Sequence, residues 1–206
     1  LDYVNPLNGA RPVKSRREAN IEATRAALLT VARRHFARDG FAGAEVGRIA
    51  AEAGMTTGAL YHHFGSKKGL FQAVAEQIEA ELLAAAASAG GADPWQRLLA
   101  GFDLLIDICA APDIQRIVFV EAPQVIGAEA WRQIELRYAY GAMRLMLEML
   151  MDQGVLRRCP AELAARALLV LLGEAAAELA RAPGDPQVRA QVGATMAAIL
   201  GALRLP

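Results

Sequence analysis

Residues Thr56–Phe71 read TTGALYHHFGSKKGLF, directly after Glu45–Met55, EVGRIAAEAGM. Val46, Ile49, Ala50 and Ala53 fall on one face of a helix about two turns long. Gly54 suits the left-handed turn that closes it. Thr56 is a ready N-cap, whose hydroxyl can accept from free backbone N–H groups, and Leu60 and Phe64 mark the inner side of the next helix. The outer side has no large aliphatic residue. It carries Thr56, Thr57, Gly58, Tyr61, His62 and His63. Two short helices joined by a tight turn, with small Ala50 at the crossing and Leu60 as anchor, follow the pattern of a helix-turn-helix. An outer face of this kind suits a groove rather than a core.

The chemistry of that face is consistent with duplex DNA. Hydroxyl, imidazole and ammonium groups on Tyr61, His63 and Lys67 can donate to successive phosphates, and His62 beside them reads either as a further DNA contact or as a solvated residue. Thr56 and Thr57 can reach base edges, and Gly58 leaves room for close approach. Arg25 and Arg48 extend the expected phosphate contacts. Charge is distributed accordingly: residues 1–68 hold eleven Lys and Arg against six Asp and Glu, a balance of +5, and the rest of the chain sits at −5. Metal binding is a poor alternative, because adjacent helical side chains point about 100° apart. No histidine follows His63. His35 reads as a packed helix residue, and no metal or cofactor is expected.

On either side of this segment the chain reads as all-α. It is 54% hydrophobic over 206 residues, rich in Ala and Leu, with no sustained alternation of strand type. Residues 1–19 are read as a flexible basic arm, 20–66 as the three-helix DNA-binding domain and 67–206 as a larger helical domain, with about nine helices in total. Helix one carries Leu28, Val31, Ala32 and Phe36 and closes at Gly40. Ser66 caps helix four, and SAGGADP, residues 88–94, separates it from helix five. Pro112 and Pro123 bracket a short sixth helix, and a long seventh is expected over residues 128–153. The longest apolar runs fall short of the roughly 18 residues that span a bilayer. The N-terminus lacks an apolar secretory segment, so a cytoplasmic location without membrane partners is expected. Cys109 and Cys159 lack metal or redox spacing and are read as reduced core thiols.

Ala23–Val74, ATRAALLTVARRHFARDGFAGAEVGRIAAEAGMTTGALYHHFGSKKGLFQAV, resembles the DNA-binding domain of the TetR family of transcriptional regulators. The elements DGF, IAAEAG, GALYHHF and SKKGLF stand in family register. The resemblance implies an all-α homodimer: three helices bind DNA, the remainder form a ligand pocket, and the last two helices pair with their counterparts. It assigns base contacts to Thr56, Thr57 and Gly58, and phosphate contacts to Tyr61, His63 and Lys67. Glu45 is a departure, standing where the family usually has Thr or Ser. A carboxylate favours a helix N-terminus but repels phosphate.

Beyond Val74 no catalytic motif appears, and an enzyme is not expected. Polar residues set among apolar ones point to a small-molecule pocket. Its candidates are Phe102, Ile106, Asp107, Arg116, Phe119, Tyr138, Met143 and Glu174, with an aliphatic lining that favours an apolar or aromatic effector. Leu168, Leu171, Leu172, Val192, Met196 and Ile199 are the expected dimer contacts. The reading is therefore a ligand-responsive regulator, a repressor on a palindromic operator. Two alternatives stay open: a constitutive architectural DNA binder, and an all-α enzyme using Glu174 and Glu178.

Overall fold

The structure, a computed structural model, describes residues 16–205. It is all-α: α1 Arg16–Gly43, α2 Val46–Glu52, α3 Thr57–Phe64, α4 Lys67–Ser88, α5 Pro94–Cys109, α6 Pro112–Ile114, a π-helical segment Gln115–Glu121, α7 Ala122–Ile126, α8 Ala128–Arg137, α9 Ala139–Asp152, α10 Ala161–Arg181 and α11 Pro186–Leu203. Among the described residues there is no strand, only an isolated bridge between Leu156 and Arg204. None of the described helices is long and apolar enough to cross a membrane. The expected arm lies outside the described residues up to residue 15, and residues 16–19 already belong to α1.

The N-terminal helices close on a small aromatic core. Phe36 of α1 and Phe71 of α4 are fully buried and meet edge to face, with ring centroids 5.0 Å apart. Phe41 covers the same cluster, 5.4 Å from Phe71. α1 bends at Gly40, where φ 71° and ψ 174° interrupt the helix that the sequence closes at the same residue. α4 then runs on between α1 and α5, and α5 packs against α10. α10 and α11 form an antiparallel pair joined by a short turn, capped where the Asp185 side chain accepts from the Gln187 and Val188 amides. The chain end is fastened by Arg157 N–H to Leu203 O at 2.8 Å and Leu205 N–H to Val155 O at 3.0 Å.

Two expected helices are divided. The segment between Pro112 and Pro123 contains the π-helical turn, because Pro123 has no N–H to donate to the carbonyl four residues earlier and the ladder widens. The expected helix over 128–153 breaks at Tyr138, with φ −118° and ψ −105°. The break brings the Leu136 carbonyl against Gly141, at a place where a Cβ would collide with it. Apolar periodicity continues through both breaks, so it carries no signal of either.

Candidate nucleic-acid interface and ligand cleft

α3 is held by both its ends and one buried residue. Thr56 Oγ1 accepts from Ala59 N–H at 3.1 Å, and Gly65, at φ 72°, donates its N–H to Tyr61 O at 2.7 Å. The turn before it is sealed by Met55 N–H to Ala50 O, with Gly54 at φ 69°. Leu60 is fully buried, while Thr56, Thr57, Gly58 and His62 are exposed and Tyr61 is 43% exposed. His63 is half-buried, its ring 5.8 Å from that of His62 and nearly perpendicular to it. The helix thus offers solvent the polar face read from its sequence.

The flanking cations are partly engaged within the protein. The Arg25 guanidinium lies 4.7 Å from the Phe64 ring centroid, and Arg48 is exposed on α2. Lys67 donates to Ala42 O at 3.1 Å and sits 4.9 Å from the Phe41 ring centroid, so its ammonium bridges α4 to the end of α1. Two of its three N–H donors remain for another partner. Glu45 caps α2 only through its carbonyl, and its exposed side chain makes no capping bond. His35 is buried, with Nε2 2.7 Å from Glu52 Oε2, which ties α1 to α2. That hydrogen bond holds the Glu52 carboxyl below its ordinary range.

The π-helical segment joins this region to the body of the protein. Arg116 donates to the carbonyls of Ala37 and Arg38 at 3.0 and 2.9 Å, and to Glu121 at 3.3 Å. Glu121 Oε2 accepts from Phe41 N–H at 2.8 Å. A Cβ on Gly40 would meet Glu121 at 2.6 Å and Arg116 at 2.9 Å, so the bend in α1 needs glycine for both its conformation and its fit. One turn further, Val118 and Phe119 face a cleft.

That cleft, about 1070 Å³, lies between α4, α5, the π-helical segment, α8, α9 and α10. Of the eight pocket candidates, Phe102, Phe119, Met143 and Glu174 line it. The other four candidates do not. Ile106 is buried beneath the lining. Asp107, with Asp103, is engaged by Arg189 of α11 at 2.6 Å. Arg116 serves the bend in α1, and Tyr138 occupies the break between α8 and α9. Helical spacing shows that a residue is polar but not which neighbour its face will meet. Glu178 pairs with Arg181, leaving Glu174 without a carboxylate partner of the kind a two-acid enzyme needs.

The sequence reading missed Glu79 and Glu135. Glu79 is 4% exposed, lines the cleft, and its Oε2 has no hydrogen-bond partner. Burial, with Glu135 adding repulsion, pushes its carboxyl up to about 7. Glu135 is also raised by burial, tempered by Trp131 and Arg132. A signal was present: Glu79 interrupts the apolar run of α4 between Ile78 and Leu82. Among the described residues, no group of His, Cys, Asp or Glu is arranged to hold a metal ion.

The expected dimer contacts lie at different depths in the protomer. Leu168, Leu172 and Met196 are buried inside the protomer, and Leu171, Val192 and Ile199 are half-buried. α10 exposes Leu163, at 63%, and Val170, at 66% and also at the cleft, and α11 exposes Ala194, Ala197, Ala198 and Gly201. α11 is apolar on nearly every side, and α10 intersperses Leu163 and Val170 with exposed Glu162, Arg166 and Glu174, so apolar spacing alone does not tell the inner stripe from the outer.

Comparison with known proteins agrees with this architecture. Residues 28–74 match the family described as "Bacterial regulatory proteins, tetR family", and residues 95–203 match "Tetracyclin repressor-like, C-terminal domain". The HTH-type transcriptional repressor AcnR of Corynebacterium efficiens is 40% identical over 74 residues, covering 36% of this chain and 35% of that protein. The match thus spans about a third of that relative's length. A TetR-family regulator from Pectobacterium atrosepticum is 32% identical, with a TM-score of 0.69 over 94% of this chain and 99% of that one. A structure from Shewanella sp. PV-4, described as a putative tetR family transcription regulator, is 22% identical, with a TM-score of 0.73 over 89% and 99% of the two chains. It shares the fold.

Proposed function

The chain belongs to the TetR family of bacterial transcriptional regulators, and from that premise we propose that it is a cytoplasmic repressor binding a palindromic operator as a homodimer and released by a small-molecule effector. The observation that carries the reading is α3: a helix capped at both ends and anchored by buried Leu60, with only small and polar side chains outward. Thr56, Thr57 and Gly58 reach base edges, although Thr56 spends one lone pair on its cap. Tyr61, His62, His63, Lys67, Arg25 and Arg48 bind phosphate. The exposed stripe of α10 and α11 forms the dimer seam, so that two α3 helices enter major grooves about 34–36 Å apart. Residues 20–66 form the DNA-binding unit and 67–206 the sensing unit.

The cleft favours this reading over a constitutive architectural binder, which has no use for an apolar cavity beside the helix that leads to α3. An occupant moves α4 or the π-helical segment, and each is bonded to the end of α1. Such a ligand shifts the protein only by preferring the form that cannot bind DNA.

Footprinting on DNA flanking the protein's own gene tests the reading. A protected palindrome that weakens as salt rises is expected, and uniform coverage would refute it. Tyr61→Phe should lower operator affinity about fivefold, the worth of one hydrogen bond near 1 kcal/mol. Lys67→Ala should lower the salt slope by about one. Unchanged binding in both variants rejects the phosphate roles. For the relay, Glu121→Ala should speed amide exchange at Phe41 about tenfold, because a charge-assisted acceptor is lost. Unaltered protection there would remove the link.

A further inference from the structure

Three carboxylates on α4 face neighbouring helices, and two of them have an arginine. Glu81 takes Arg33 of α1 at 2.6 Å, and Glu76 takes Arg137 of α8 at 3.1 Å. Glu79, the most buried of them, has none: among the described residues no Lys, Arg or His pairs with it, and Oε2 is left without any hydrogen bond. The charged groups around the cleft do not supply one. Arg97 of α5 reaches the Gly91 carbonyl, Arg132 of α8 lies beside Glu129, and Arg166 of α10 lies over the Tyr140 ring of α9. All three are exposed at the rim. Glu162 and Glu174 of α10 are exposed at the mouth, and burial keeps the Cys109 thiol neutral, with its pKa pushed up to about 12. Among the described residues, the charged group that raises Glu79 is another acid, Glu135, and the Cys109 thiol beside them is held neutral.

A buried acid beside a second acid, both opening on an apolar cavity, is costly to the empty protein and complementary to a cation arriving from outside. We propose that the cleft takes an organic cation, a protonated amine seated between Glu79 and Glu135 with its apolar or aromatic body against Phe102, Met143 and Trp131. The proposal rests on reading the cleft as the effector site and gives that site a ligand class. The amine brings a positive charge to Glu79, which none of the rim arginines pairs with, and its N–H groups bond the orphaned Oε2. Phe102 and Trp131 add ring faces that attract cations. Glu79 belongs to α4, so the charge is sensed on the helix that leads back to α3.

Three probes of one shape test it: 4-phenylbutylamine, neutral 4-phenylbutan-1-ol and anionic 4-phenylbutyrate, titrated calorimetrically into the full chain. The amine should bind at least tenfold more tightly than the alcohol at pH 8, and the acid most weakly. Between pH 6 and 8 amine affinity should rise about tenfold as Glu79 ionises around 7, while the alcohol's stays level. Glu79→Gln should abolish the preference for amine over alcohol, and Glu135→Gln should reduce it. An amine that binds no better than the alcohol, or does not bind, overturns the proposal, as does a Glu79→Gln protein that keeps the preference. Operator binding by the same preparation without probe reports on the regulator reading alone, so the two ideas fail separately.

Discussion

Glu79→Gln is expected to make the protein more stable at pH 8, by up to about 3 kcal/mol, and to flatten its stability between pH 4.5 and 7. The parent carboxyl titrates near 7 in the folded protein and near 4.5 when exposed. Below pH 4.5 both states hold the proton and nothing is lost. From there up to 7 the unfolded chain releases the proton while the folded protein retains it, so stability falls by about 1.4 kcal/mol per pH unit. Glu135, also raised, acts in the same direction. Glu52 and Asp39 act in the opposite one: their lowered carboxyls contribute stability above the ordinary carboxylate range that is lost as pH falls through it, a separate acid window. The amide introduced by the substitution carries no charge to desolvate, so the variant should lack most of the upper slope. Urea midpoints of both proteins at pH 5 and pH 8 measure this. Equal slopes in parent and variant would mean that Glu79 is solvated when ionised.

Phe36→Ala should cost about 3–5 kcal/mol, the usual range for removing a buried aromatic ring. Phe36 has no exposed surface and meets Phe71 edge to face, so its loss leaves a void between α1 and α4. A total stability of about 5–15 kcal/mol makes this a large fraction. Operator affinity should fall with it at 37 °C and recover on cooling toward the stability maximum, since no DNA contact is touched. The check is a shift in urea midpoint at unchanged slope, set beside binding at two temperatures. A loss under about 1 kcal/mol would show that the aromatic cluster does not support the helix-turn-helix.

The sequence is most legible where structure is local. Thr56 and Ser66 cap the helices their positions suggest, Gly54 makes the turn, and the buried faces of α1, α4 and α5 follow their apolar spacing. These features depend on neighbours within a few residues. What was hidden depends on distant partners. Arg116 and Asp107 were recognisable as polar residues on apolar helices, but whether each turns to the cleft, to α1 or to α11 is decided by packing across about eighty residues of chain. Leu168 and Val170 are equally apolar, and only the assembled body buries the first and exposes the second. Glu79 was overlooked because a single acid at the edge of an apolar stripe is ordinarily turned toward water.

The length of α4 has a mechanical consequence. Glu79 stands twelve residues beyond Lys67, roughly 18 Å along an unbroken rod. If that rod pivots near its acidic midpoint through about 5°, its far tip swings by roughly 1.6 Å, and in the proposed dimer a twofold-related copy would double the discrepancy between the two reading heads. Grooves in a duplex are fixed in spacing, so even a modest gain of this lever is enough to take both heads out of step with their target.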